Sequence, residues 1–166
     1  MPEKETVERA HQDAQEGKAP TTQAGEFVRE EMHHIREGKH GARSTKQAIA
    51  IGLSKARKAG VKLPPPKKGA VSEKTRRSAE RAYRKGQSSS RKRPSAKRSR
   101  AIKGALKREG RTAASHRALA SQARSAARRR TAASRSAAAK KAAHTKGRAG
   151  RSAAARKAAR TRSRRR

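Results

Sequence analysis

Large apolar side chains cluster in one short window of this sequence, which limits how much of the chain can build a core. Phe27, Val28, Met32 and Ile35 recur at helical spacing, and Ile49, Ile51 and Leu53 follow soon after. Elsewhere the apolar content is mostly alanine: only 31% of the 166 residues are hydrophobic, with one Phe (Phe27), one Tyr (Tyr83) and no Trp. Ordering a backbone costs roughly 1–2 kcal/mol per residue, and burial of large side chains is what offsets it. Low hydropathy with high net charge is the composition of chains that do not collapse alone. The expected fold class is therefore mostly α with extensive disorder. A small helical hairpin head would be followed by isolated helices and a low-complexity basic tail.

Charge sharpens the division. The formal net charge is +36, and it is distributed unevenly. Residues 1–40 hold nine of the twelve acids against six Lys or Arg, a net of −3, whereas residues 41–166 carry 42 basic residues against three acids, a net of +39. Self-repulsion of this size calls for a polyanionic partner. An anionic membrane would require apolar wedges among the cations, and the basic stretches carry almost none. Nucleic acid is the expected partner. The absence of cysteine excludes a disulfide framework, a thiolate nucleophile and a zinc-finger pattern. The acidic, polar Met1–Thr6 start does not resemble a secretory signal, and the apolar run Ala48–Leu53 is too short to span a bilayer. A cytoplasmic, nucleoid-associated protein is expected.

Along the chain, residues 1–25 read as a disordered polar leader and 26–63 as a helical-pair head. In the head, Gly38 stops the first helix, and Ser44-Thr45-Lys46-Gln47 forms a capping box for the second. Ile49, Leu53 and Ala56 form the stripe of that second helix. Gly60 suits the left-handed position after its last turn, and Val61 can pack back onto it. Residues 64–71, opening on Pro64-Pro65-Pro66, read as a Pro/Lys linker. Residues 72–110 read as basic helices: one from Ser72 to Lys85 closed by Gly86, a linker at 87–94, and one from Ser95 to Glu109 stopped by Gly110. Residues 111–166 are the Ala/Arg/Lys-rich tail. Within it, 135–146 is repeated at 151–162, an offset of 16 residues, and the changes only exchange one basic residue for another.

The candidate nucleic-acid-binding residues are Arg91, Lys92, Arg93, Lys97, Arg98 and Arg100, then Arg128, Arg129, Arg130, Arg135, Lys140, Lys141, Lys146 and Arg148, and finally Arg151, Arg156, Lys157, Arg160, Arg162, Arg164, Arg165 and Arg166. Residues 110–166 hold 19 Lys or Arg and no acid. Each phosphate neutralised releases counterion, so affinity from such a tail falls steeply with salt. Arg outnumbers Lys, 29 to 19, favouring bidentate contact with phosphate oxygens. Neutralised on DNA, the Ala-rich stretches should coil into helices, with Gly147 and Gly150 as breaks. Stacking on single strands needs aromatic platforms, and this chain has two aromatic residues, so double-stranded backbone binding is favoured.

Other chemistry finds little support. His33, His34 and His40 with Glu37 suggest a metal site, yet no fourth ligand is evident, and exposed helix-end histidines explain them; no metal and no cofactor is expected. Glu26, Glu30 and Glu31 read as first-turn helix charges. No Gly-rich phosphate loop or catalytic constellation occurs, so an enzyme is not expected. Ser44–Ala59 could be taken for a recognition helix, but a hydrophobic pair that stabilises the head or mediates self-association accounts for it more simply.

Two stretches carry a resemblance. Glu31-Met32-His33-His34-Ile35-Arg36-Glu37-Gly38-Lys39, followed by Ser44 to Lys58 with its Lys46-Gln47-Ala48-Ile49-Ala50-Ile51-Gly52-Leu53-Ser54 core, resembles a bacterial family of small basic proteins of unknown function, sometimes labelled "plasmid stabilization protein". Members show a Met-His-x-aromatic-Lys-x-Gly element and then a helix of this second type. Here Ile35 stands for the aromatic residue, and the linker is shortened. The similarity spans about residues 26–60 and implies no activity. The tail resembles the Ala/Lys/Arg-rich arms of linker-histone-like proteins. Sequence-nonspecific DNA binding and compaction is the leading expectation. An RNA-binding role in ribosome assembly, or an adaptor recruiting a protein through the head, are the alternatives.

Overall fold

The computed structural model describes residues 2–88 and 95–164. They are mostly helical, with no strand among them. In order they form α1 (Lys4–Gln15), α2 (Pro20–Arg36), α3 (Thr45–Lys58), α4 (Glu73–Gln87), α5 (Ala96–Lys107), a short 3-10 turn (Thr112–Ala114), α6 (His116–Arg128) and α7 (Ala132–Ser163). The chain divides into two units, one ending at Gln122 and one running from Ala123.

The head helices begin and end as their sequences dictate. Pro20 occupies the first turn of α2, where its missing N–H costs nothing. Gly38, at φ 79°, closes that helix, and the Lys39 amide donates back to the His34 carbonyl at 2.9 Å. Ser44 Oγ accepts from the Gln47 amide at 3.2 Å. The reciprocal arm of the expected box is displaced by one residue, since Gln47 Oε1 accepts from Arg43 N at 2.8 Å. Gly60, at φ 102°, ends the α3 turn, and the Val61 amide reaches the Ala56 carbonyl at 3.2 Å.

α2 lies at the centre of the first unit, packed by α1 and α3, with α4 on the far side of α3. Its apolar face divides in two. Phe27 and Ala24 join Ala10, Ala56 and Val61, while Met32 and Ile35 join Ala42, Ala48, Ala113 and Ala114. Alanine supplies most of both clusters. A core of small residues works only where backbones approach closely, and Gly52 makes that possible: a Cβ there would lie 2.7 Å from Val28 Cα. Gly86 acts likewise at the crossing of α4 over the end of α3, where a Cβ would collide with the Arg57 carbonyl.

These contacts correct several expectations. Residues 1–25 are not a disordered leader. They hold α1 and the start of α2; Thr6 and Ala10 are buried, and Arg9 meets Glu26 at 2.7 Å. Small and polar side chains do the packing, so a search for large apolar residues passes over it. The helices beyond the prolines are not isolated either. α4 packs on α3 and runs through Gly86 to Gln87, because that glycine serves the crossing rather than a stop. α5 ends at Lys107, short of Gly110, and its end is tied to the α2–α3 loop: Gly41 N donates to the Leu106 carbonyl at 2.9 Å and Ala42 N to that of Gly110 at 3.1 Å. The 3-10 turn is held by Arg36 on the Ala114 carbonyl at 2.9 Å and Thr45 on that of Ala113 at 2.7 Å. The proline segment is anchored as well, since buried Arg57 donates to the carbonyls of Leu63 at 3.1 Å and Pro64 at 3.3 Å.

A buried ionic knot joins α1, α2 and α3. Glu30 and Glu31 are 5% and 0% exposed. Lys55 Nζ, from α3, lies 3.1 Å from Glu30 Oε1 and 2.7 Å from Glu31 Oε2. Glu30 Oε2 also accepts from the Glu3 amide at 3.2 Å, at the start of α1. Burial alone would lower the Lys55 pKa, but the carboxylates of Glu31 and Glu30 outweigh it and hold the ammonium above the ordinary lysine value.

Two outcomes follow for this unit. Lys55→Met leaves two buried carboxylates without their cation and should cost about 3–5 kcal/mol, read as a lowered urea midpoint by circular dichroism. Because the Lys55 pKa is raised, its contribution is fully present up to the ordinary lysine pKa and is lost only as pH rises through the folded value. Gly52→Ala gains up to about 1 kcal/mol of helix propensity but overpacks the α2–α3 contact at a cost of about 1–3 kcal/mol. The same measurement should show net destabilisation.

Candidate nucleic-acid interface

Of the expected contact residues, Arg91, Lys92, Arg93, Arg165 and Arg166 lie outside the described residues. The other seventeen are all exposed. Lys97, Arg98 and Arg100 stand on the opening turns of α5, in the first unit. Arg128 ends α6, Arg129 and Arg130 follow it, and the remaining eleven from Arg135 to Arg162 with Arg164 lie on α7 or its C-cap, in the second unit.

α7 is a helix without a core face: no residue in it is buried. In the first repeat copy the cations Arg135, Lys140, Lys141 and Lys146 are separated by five, one and five residues, and Arg151, Arg156, Lys157 and Arg162 repeat that spacing in the second. At 3.6 residues per turn such spacing spreads charge around the axis instead of along one stripe. Between the copies Gly147 takes φ 63°, ψ 179°, breaking the helical path as expected, whereas Gly150 stays helical. No acid follows Glu109, so no acidic side chain lies within this unit to engage these cations.

α4 shows the contrast. It is also basic, but Arg76 meets Glu73 at 2.7 Å and Arg84 meets Glu80 at 2.6 Å. The Arg76 hydrogen bond holds the Glu73 carboxyl down to about 2, so this pair stays ionised through the neutral range. Cations compensated in this way offer less to a polyanion than those of α7.

The second head helix is poorly placed to read bases. Thr45, Ala48, Gly52, Ala56 and Arg57 of α3 are buried, and only Lys46, Ala50 and Lys58 are exposed. Base readout needs three or four polar side chains on one presented edge. Two lysines twelve residues apart do not supply it.

The acidic and histidine residues of α2 are placed differently from the sequence expectation. α2 starts at Pro20, so Glu26, Glu30 and Glu31 lie in its middle and later turns, and the last two are buried. His33 and Glu37 are exposed, the latter pairing with Lys39 at 3.0 Å. His34 and His40 turn inward, their side chains only 12% and 17% exposed. His34 Nε2 lies 2.8 Å from Glu3 Oε1, and His40 Nε2 lies 3.4 Å from Glu31 Oε1. The spacing of Glu30, Glu31 and His34 could have signalled a shared helix face. The return of His40 to that face depends on the turn at Gly38, which the periodicity does not show.

Among the described residues, no helix is long and apolar enough to cross a membrane. The model of a family described as "Family of unknown function (DUF6496)" matches residues 19–68. That span takes in the whole 26–60 resemblance, together with the first turns of α2 and the anchored proline segment. It carries no activity and supports neither a bacterial source nor a role in plasmid maintenance. No curated protein and no solved structure matches the chain. What the comparisons add is that residues 19–68 are similar to a family of unknown function.

Proposed function

We propose that this protein binds double-stranded DNA without reading its sequence and compacts it, the basic tail neutralising backbone phosphates while the helical head carries and spaces it. The observation that supports this most strongly is the uncompensated charge of α7. Its cations are exposed, distributed around the helix axis and remote in sequence from any acid. A helix charged on all sides suits a ligand that presents phosphates along a continuous path. It does not suit a base edge, which demands one ordered face. Arginine predominates over lysine in this stretch, and its planar fork engages two phosphate oxygens at once. Association with the nucleoid follows from the same chemistry, as does a weaker claim on RNA, whose phosphates offer the same contact.

Fluorescence anisotropy with a labelled duplex over a salt series tests this. With about eight phosphates neutralised, log affinity against log salt should slope at roughly −7. Replacing the basic residues of both repeat copies by Gln should flatten that slope by several units, and an unaltered slope would place the contacts elsewhere. Duplex RNA and single strands at matched salt distinguish the alternatives: tighter binding to duplex RNA would favour the ribosome-assembly role. Equal binding to all three would reduce the reading to a general polyanion binder.

A further inference from the structure

The inward end of α2 holds a set of ligand-type side chains that polyanion binding does not use. Glu31 is fully buried, and neither of its carboxylate oxygens accepts a well-directed hydrogen bond. Lys55 stands 2.7 Å from Oε2 as an ion pair; Oε1 faces His40 Nε2, at 3.4 Å. That imidazole is oriented from behind, because His40 Nδ1 lies 3.1 Å from the Gly41 carbonyl. A carbonyl can only accept, so Nδ1 carries the hydrogen, and in the neutral ring Nε2 turns a lone pair toward the carboxylate. With that ring neutral, two acceptors face each other, an arrangement that a proton or a metal cation between them resolves.

The spacing identifies the kind of cation. At 3.4 Å the nitrogen and oxygen are farther apart than the usual N–H···O hydrogen bond. Two ligands each about 2.0–2.1 Å from a tetrahedral zinc ion stand roughly 3.3 Å apart. A third donor is at hand: ligand atoms of Glu31, His34 and His40 all lie within 4.8 Å of one another. His34 has an outer partner of its own in Glu3, 2.8 Å from its Nε2. Metal-binding imidazoles have such backing as a rule, commonly from a carboxylate or a backbone carbonyl.

We propose that Glu31, His34 and His40 form a binding site for a divalent transition-metal ion of the zinc type, with solvent completing the coordination. Two imidazoles and one carboxylate suit zinc or cobalt rather than magnesium or calcium, which favour oxygen ligands throughout. The local charge also suits it. With neutral imidazoles, Glu3, Glu30, Glu31 and Glu37 exceed Lys39 and Lys55 by two negative charges, which a divalent ion balances. Bound metal would fasten the loop carrying His40 to the end of α2.

The test uses the full-length protein, treated with chelator and freed of nucleic acid at high salt, so its outcome does not depend on the DNA-binding proposal. Zn²⁺ is titrated by calorimetry and Co²⁺ by visible absorption. Wild type should bind one equivalent saturably, and Co²⁺ should give the intense visible bands of low coordination number. His34→Gln and His40→Gln should each weaken binding by about tenfold or more, while His33→Gln, one residue away but exposed, leaves it unchanged. Circular dichroism checks that each variant retains its helices. Zn²⁺ should also raise the unfolding midpoint of wild type, a measurement that does not depend on any variant folding. No saturable binding, no midpoint shift in wild type, or equal losses in His33→Gln and His40→Gln would overturn the site.

Discussion

Two adjacent carboxylates, buried side by side on one helix, set the terms for the rest of the first unit. Glu30 and Glu31 can be placed there only if a cation comes to them, and Lys55 on α3 supplies it. Desolvating three charged groups is expensive, and their attraction offsets it only when the geometry is held. The same pair therefore fixes how α2 and α3 face each other, and through Glu3 it fixes where α1 begins. An apolar replacement of similar volume could supply comparable burial, but it would not specify one register among the several that alanine surfaces allow.

The parts of this fold that were legible in sequence were those written in local chemistry. Gly38, Ser44 and Gly60 mark helix ends because a positive φ or a hydroxyl acceptor is needed at those points, and the structure uses each one there. Gly147 was readable for the same reason. What escaped was long-range packing among small residues. Ala10, Ala24, Ala113 and Ala114 carry little hydrophobic signal one at a time, yet they are buried, the first two where α1 meets α2 and the last two where the 3-10 turn packs on α2 and α3. A polar leader rich in glutamate looked unable to order itself; it does so by leaning Thr6 and Ala10 on α2 and clamping Glu26 with Arg9. The basic tail was legible as composition, and its exposure follows from having no apolar face to bury.

The two halves of the charge pattern have opposite fates. In the first unit, some of the cations are matched within the chain, as in the Arg76–Glu73 and Arg9–Glu26 pairs, although its 31 Lys or Arg still outnumber its 12 acids. Beyond Glu109 no such matching is possible. A single sequence thus combines a body that holds every acid of the chain with an arm that holds none.

Gly147 gives that arm a mechanical property. A Cβ at this position would meet nothing within 4 Å, so the glycine is there for its dihedral freedom and not for space. An unbroken helix of 32 residues would be a straight rod about 48 Å long. Divided at a swivel, it becomes two short rods that can each lie tangent to a curved polymer. Under the proposed DNA-binding role, wrapping would then demand less bending of either partner, with the elastic energy of compaction spread over joints instead of being stored in the nucleic acid.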